Sequence, residues 1–242
     1  HLCYRNDDPG LMSAVAASGA DMVRVWGPYE DIGRPSSRTE QALSKADKLH
    51  PWTLFVFAPT TLLPESQLRL KIHELISLHP GVTIELGNEP DVIAPGYQPW
   101  LPFAADGFTS FARFVRVALD EAVATNPDVS IGLGALGNVR YTPALLESLI
   151  RAGVPLSRLT FFGLHAYDTE DALNYRLSVV MPLLRRHVIS PSIWLTEWGT
   201  GDKERQFQLP EMAVYANSVV SLACLHELGG QTPFAIGPAA PR

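Results

Sequence analysis

The sequence has little of three things: cysteine, clustered positive charge and long apolar runs. Its 242 residues include only two cysteines, Cys3 and Cys224, which are too few for a disulfide framework, and we expect them to be buried free thiols. No apolar run reaches the roughly 18 residues that a membrane-spanning helix needs. A formal net charge of -6, without a cluster of lysine and arginine, argues against binding to nucleic acid or an anionic membrane.

Short apolar runs alternate with amphipathic segments from one end of the sequence to the other. This alternation is typical of βαβ units around a parallel sheet, and about 250 residues is the usual size of a (β/α)8 barrel. We therefore predict an α/β fold, a single-domain TIM barrel over residues 1–237, followed by a linker or tail at 238–242. We expect a monomer or one domain of a longer chain, with its closing helix missing or beyond the end of the sequence.

The apolar runs predict eight strands, at residues 1–4, 21–26, 52–58, 82–88, 129–133, 159–167, 192–198 and 232–236. The amphipathic segments predict seven helices, at residues 9–18, 38–49, 64–78, 108–125, 143–152, 171–186 and 210–228. His73 and His79 fall on or just after the third of these helices and are expected at the surface.

Two of the apolar runs end in a glutamate, just where Pro90 or Gly199 stops the strand. Glu89 directly follows predicted strand four, and Glu197 lies at the end of predicted strand seven, one residue before its last. The carboxyl ends of parallel strands meet on one rim, where α/β barrels bind ligands, so the two carboxylates can face each other across one cleft. Paired carboxylates in that arrangement perform glycoside hydrolysis.

Side-chain alternation along a strand predicts which neighbours share a face with these glutamates. It places Glu85, Gly87 and Glu89 on one face, with Gly87 leaving room inside the barrel mouth. It places Thr196 on the face opposite Glu197. We expect Glu85, one layer deeper, to have a structural hydrogen-bonding role.

The motifs Asn88-Glu89-Pro90 and Thr196-Glu197-Trp198-Gly199 resemble those of the clan A retaining glycoside hydrolases, which are (β/α)8 barrels. The clan includes many β-glycosidases and endoglycanases. The resemblance implies that Glu89 is the general acid/base and that Glu197 is the nucleophile. It extends over nearly the whole barrel as architecture, although only about ten residues carry it as sequence.

The same resemblance implies a set of substrate-binding residues. Arg24 would contact the nucleophile and keep it ionised, because a nearby positive charge favours the carboxylate form. Asn88 would bind the sugar 2-hydroxyl, and His165 and Tyr167 would lie near the nucleophile and the sugar ring.

Aromatic residues near the rim are further candidates for substrate binding. Trp26 and Trp198 are either core residues or surfaces on which a sugar ring stacks. Trp100 lies in the long connection after Glu89 and either contacts substrate or holds that connection in place. Phe234 is the one aromatic residue of predicted strand eight, where the clan supplies a tryptophan.

Together these residues predict a retaining glycoside hydrolase that acts on a β-linked oligosaccharide or polysaccharide, with no metal or organic cofactor. One alternative is a barrel that binds glycan without cleaving it. A second is a metal-dependent barrel enzyme in which Glu89, Glu197, His165 and Asp168 are the ligands.

Overall fold

A computed structural model describes residues 2–5, 17, 22–49, 52–58, 63–92, 106–167, 169–187, 191–199 and 220–225. Its strands are β1 (Leu2–Arg5), β2 (Met22–Trp26), β3 (Trp52–Phe57), β4 (Val82–Leu86), β5 (Ile131–Leu133), β6 (Phe161–Tyr167), β7 (Ser192–Gly199) and β8 (Leu222–Leu225). Its helices are α1 (Arg38–Leu49), α2 (Glu65–Leu78), α3 (Thr109–Thr125), α4 (Thr142–Arg151) and α5 (Glu170–Arg186). None of the helices in these ranges is long and apolar enough to cross a membrane.

The eight strands form a closed parallel barrel in chain order. β8 pairs with β1 and completes the ring. This confirms the predicted TIM barrel, and it places the carboxyl ends of all eight strands on one rim. Residues 226–242, which include the predicted tail, lie outside the described residues.

The position of β8 differs from the prediction. Leu222–Leu225 is a strand that pairs with β7 and β1, whereas the sequence pattern placed it inside a helix and put strand eight at 232–236. A run of four apolar residues suits a buried strand and a buried helix equally well, so periodicity cannot separate them. Phe234 lies outside the described residues and is not part of the strand that closes the barrel.

The expectation of free cysteines is also wrong. Cys224 is fully buried and disulfide-bonded, and no cysteine of the described residues is free. Cys3 is the only other cysteine of the sequence and lies opposite Cys224 in the register of β1 and β8. Barrel closure brings the two positions together from opposite ends of the chain, which their sequence spacing does not reveal.

Apolar side chains fill the lower part of the barrel interior. Phe161 of β6 stacks on Trp194 of β7, with ring centroids 4.0 Å apart and planes 5° apart. Met22, Leu54, Leu222 and Cys224 belong to the same buried cluster. Arg24 is the next inward residue after Met22 on β2, so this apolar plug lies below the buried charge of Arg24.

A buried histidine links the first two described helices. His79, just after α2, is 2% exposed, which corrects its predicted surface position. Its Nδ1 lies 2.5 Å from Asp47 of α1, and its Nε2 lies 3.2 Å from Glu40 of α1. Glu40 also accepts a hydrogen bond from the Gly33 amide, 2.9 Å away. Burial lowers the pKa of His79, but the bonds and charges of Asp47 and Glu40 outweigh burial and raise it above its usual value.

We predict that protonated His79 stabilises the folded protein. A pKa raised by folding gives stability that is complete below the unfolded value of about 6.5 and is lost as pH rises through the folded-state value. His79→Gln should therefore be about 1.5–3 kcal/mol less stable than wild type near pH 6, the usual contribution of a hydrogen bond to a charged group. Urea unfolding from pH 5.5 to 9 should show this difference shrinking as pH rises, and a constant difference would contradict it.

Candidate active site

The carboxyl end of the barrel gathers polar side chains from β2, β4, β6 and β7. They are Arg24 on β2, Glu85 on β4, Asn88 and Glu89 in the turn after β4, His165 and Tyr167 on β6, and Glu197 on β7. The opposite end holds a cavity of about 610 Å³ lined by Trp52 and Trp194, and Asp128 is the one ionisable residue among its described lining residues. In the described part of the chain, paired carboxylates therefore occur at the rim where barrel enzymes work.

Arg24 is the centre of this group and is fully buried. Its Nη1 donates to Glu197 Oε1 at 2.7 Å, the contact that the resemblance implies. Its Nε and Nη2 donate to the two oxygens of Glu85 at 2.7 and 3.1 Å, and Nη2 also donates to Asn88 Oδ1 at 2.8 Å. Burial lowers the pKa of Arg24, but the charges of Glu85 and Glu197 raise it above its usual value, so the cation persists.

A β-bulge aims Glu197 into the barrel. The register between β6 and β7 shifts so that His165 lies opposite Glu197, and Thr196 becomes an extra residue in β7. Thr196 also points inward, because its Oγ1 would lie 3.1 Å from a Cβ placed on Gly163 of β6. The expectation that Thr196 and Glu197 face opposite ways is therefore wrong, since a bulge breaks the alternation on which it rested.

A tight turn after β4 sets the position of Glu89. β4 ends at Leu86, and Gly87 and Glu89 both have positive φ, of 76° and 44°. A Cβ on Gly87 would lie 2.6 Å from the ring of Phe111 on α3. Gly87 therefore faces a helix, and the prediction that it leaves room inside the barrel mouth is wrong. The Glu89 amide donates to the Ala135 carbonyl at 2.8 Å and anchors the turn.

His165 and Tyr167 connect the two glutamates. His165 Nδ1 lies 2.8 Å from Glu89 Oε1 and 3.7 Å from Glu197 Oε2. The Tyr167 hydroxyl donates to Glu197 Oε2. Burial, followed by the negative charge of Glu197, raises the pKa of Tyr167, so its hydroxyl remains a donor. Glu197 is thus held at one oxygen by Arg24 and at the other by Tyr167.

The two glutamates differ in exposure. The side chain of Glu89 is 24% exposed, whereas that of Glu197 is 6% exposed. Glu89 therefore lies on the open side of the site and Glu197 at its floor.

The predicted aromatic residues are not all brought to this site. Trp26 ends β2, two positions after Arg24, and is half-buried at the rim. Trp198 of β7 is 3% exposed and packs in the apolar core between the strands and the helices, which favours its interpretation as a core residue. Trp100, Phe234 and the alternative metal ligand Asp168 lie outside the described residues. Within the described ranges, no three His, Cys, Asp or Glu side chains form a group that could hold a metal ion.

Two residues near Glu89 were not identified from the sequence. Asp91 accepts hydrogen bonds from the Gly137 and Asn138 amides at 2.8 and 2.7 Å, and so ties the loop after β5 to the turn after β4. Arg176 of α5 donates to the Leu136 and Gly137 carbonyls of the same loop. Their partners are backbone groups, which have no signature in the sequence. Burial raises the pKa of Asp91, although the two amides oppose the shift.

The fold is similar to that of several solved glycoside hydrolases. A glucosidase from Croceicoccus marinus matches with a TM-score of 0.67 and 14% identity over 92% of this chain, which spans 56% of that protein. Endoglucanase Cel5A from Pseudomonas stutzeri matches with a TM-score of 0.64 and 16% identity, covering 97% of this chain and 82% of its own. The mannanase catalytic domain from Streptomyces sp. SirexAA-E has a TM-score of 0.58 and 16% identity, covering 94% and 74%. No family model and no curated protein sequence matches the chain.

We predict that Gly87→Ala destabilises the protein and disturbs the turn that carries Glu89. The new methyl group would meet Phe111 in a left-handed backbone conformation, and strain of this kind costs about 1–3 kcal/mol. Gly81→Ala is the matched control, because among the described residues no atom beyond the two chain neighbours lies within 4 Å of a Cβ at Gly81. Urea unfolding should show the loss in Gly87→Ala alone, and equal stability of the two variants would contradict the assignment.

Proposed function

We propose that this protein is a retaining glycoside hydrolase that acts on β-linked oligosaccharide or polysaccharide. The observation that carries the proposal is the convergence of Glu89 and Glu197 on one imidazole nitrogen of His165 at the catalytic rim of a TIM barrel. Similarity in fold to solved glycoside hydrolases supports it.

The spacing of the two carboxylates favours retention. Glu89 Oε1 and Glu197 Oε2 lie 2.8 and 3.7 Å from the same nitrogen, so their separation cannot exceed the sum of these distances. That limit falls at the lower edge of the roughly 6.5–9.5 Å that inverting enzymes need to hold a water between their carboxylates. Direct attack by one carboxylate requires about 5–5.5 Å, which lies within the limit.

Glu197 is suited to be the nucleophile. Arg24 and Tyr167 donate to its two oxygens, which favours the carboxylate form and fixes its orientation. Each carboxylate oxygen has a second lone pair, so these bonds leave an electron pair with which to attack the anomeric carbon. Attack forms a glycosyl-enzyme ester, and the bond from the anomeric carbon to the leaving oxygen breaks.

Glu89 is suited to be the acid and then the base. Its partly exposed carboxylic acid gives a proton to the leaving oxygen as the glycosidic bond breaks. The resulting carboxylate takes a proton from water, whose oxygen attacks the anomeric carbon and releases Glu197 as a carboxylate. His165 Nδ1, which contacts Glu89 and lies near Glu197, holds the acid beside the nucleophile in both steps.

The remaining residues would bind the sugar. Asn88 would contact the 2-hydroxyl, where hydrogen bonds strengthen as the transition state forms. Trp26 and Trp100 would provide faces for sugar rings.

The disulfide of Cys224 suits an oxidising compartment, which agrees with export of a glycan-degrading enzyme.

We predict that Glu197→Gln and Glu89→Gln have different kinetic effects. Without its nucleophile the enzyme should lose turnover on every substrate, by a factor on the order of 10⁴ or more. The Glu89→Gln variant should lose about 10²–10⁴-fold in turnover of substrates with poor leaving groups. It should lose little turnover of dinitrophenyl glycosides, because the dinitrophenolate leaving group needs no proton. Rates of aglycone release from aryl β-glycosides of graded leaving-group pKa measure both effects.

Glu40→Gln makes the same chemical change away from the site and serves as the control. Equal, mild losses in the two active-site variants would contradict the assigned roles. A wild-type protein that binds oligosaccharide and releases no reducing ends would instead support the non-catalytic alternative.

A further inference from the structure

Glu85 is fully buried and takes no chemical part in the proposed reaction. Both of its oxygens accept from Arg24, one from Nε and the other from Nη2. A carboxylate and a guanidinium paired in this way form a fork with two parallel bonds, which sets the plane and the rotation of the guanidinium.

The orientation of Arg24 determines where its other N–H groups point. With one edge held by Glu85, Nη1 is directed at Glu197 and the second N–H of Nη2 at Asn88. An arginine N–H can bind only an acceptor, so the side-chain oxygen of Asn88 must face Arg24. The nitrogen of that amide then lies on the side away from Arg24.

We propose that Glu85 is a positioning residue that, through Arg24, fixes the side-chain amide of Asn88 so that its N–H side serves the substrate. The inference rests on the proposed function, because it assigns Asn88 as the donor to the sugar 2-hydroxyl. Glu85→Gln replaces one acceptor oxygen by an NH₂ group, which would face an Arg24 N–H. A donor then opposes a donor, and the fork cannot form.

The first test needs no substrate. The side-chain ¹⁵NH₂ signals of Asn88, assigned by their absence in Asn88→Ala, should form one pair in wild type. They should shift and broaden or double in Glu85→Gln, because the amide is no longer fixed. They should stay in place in Glu40→Gln, a buried carboxylate variant on α1. Unchanged Asn88 signals in a folded Glu85→Gln protein would overturn the proposal, whatever the protein hydrolyses.

The second test uses a pair of aryl glycosides that differ only in a hydroxyl or a hydrogen at C2. The ratio of their kcat/KM values cancels general losses of activity. Glu85→Gln should lower this ratio about tenfold, towards that of Asn88→Ala, which is the usual effect of one hydrogen bond. The double variant should show no further loss, because both substitutions remove the same contact.

A merely structural role predicts another result. Glu85→Gln would then slow both glycosides equally and keep the wild-type ratio, which would overturn the proposal while leaving the glycosidase function intact. If Glu85→Gln does not fold, Glu85→Asp keeps the charge but is one methylene too short to hold Arg24 in place. A folded Glu85→Asp protein should show a smaller fall in the ratio and altered Asn88 signals, and wild-type values for both would overturn the proposal.

Discussion

The burial of the Arg24 guanidinium is the constraint on which the rest of the site depends. A cation removed from water is costly unless its N–H groups and its charge are matched, and here Glu85, Glu197 and Asn88 match them. The three partners come from β7, β4 and the turn after β4, so one side chain brings distant parts of the chain into a single arrangement. The stacked rings of Phe161 and Trp194 form an apolar plug beneath this charged layer.

The backbone departs from regular geometry where the two glutamates are presented. Thr196 is the extra residue of a bulge that turns Glu197 inward, and Glu89 has a positive φ in a turn opened by Gly87. Each departure weakens local structure, and each is held by packing or hydrogen bonds from elsewhere, such as Phe111 against Gly87 and the Ala135 carbonyl on the Glu89 amide. Strain that persists because its surroundings enforce it is often found at functional sites.

The rim around Glu89 is braced by two ionisable side chains that bind backbone groups. Asp91 and Arg176 both bind backbone groups of residues 136–138, so the loop after β5 is held from two sides. The general acid in the proposed reaction is therefore supported by a rigid edge although its own side chain is partly exposed. Geometry of this kind suits a group that must meet the leaving oxygen within a hydrogen-bond distance.

The sequence by itself determined the barrel, because alternating strand and helix patterns are local properties of neighbouring residues. It also pointed to Glu89 and Glu197, since strand ends share one rim, and to Arg24, His165 and Tyr167 through the resemblance that the two glutamate motifs carry. Only the tertiary structure decided the bulge at Thr196, the strand at Leu222–Leu225, the burial of His79 and the disulfide of Cys224. Each of these depends on partners far away along the chain, and a pattern read from neighbouring residues does not contain the identity of such partners.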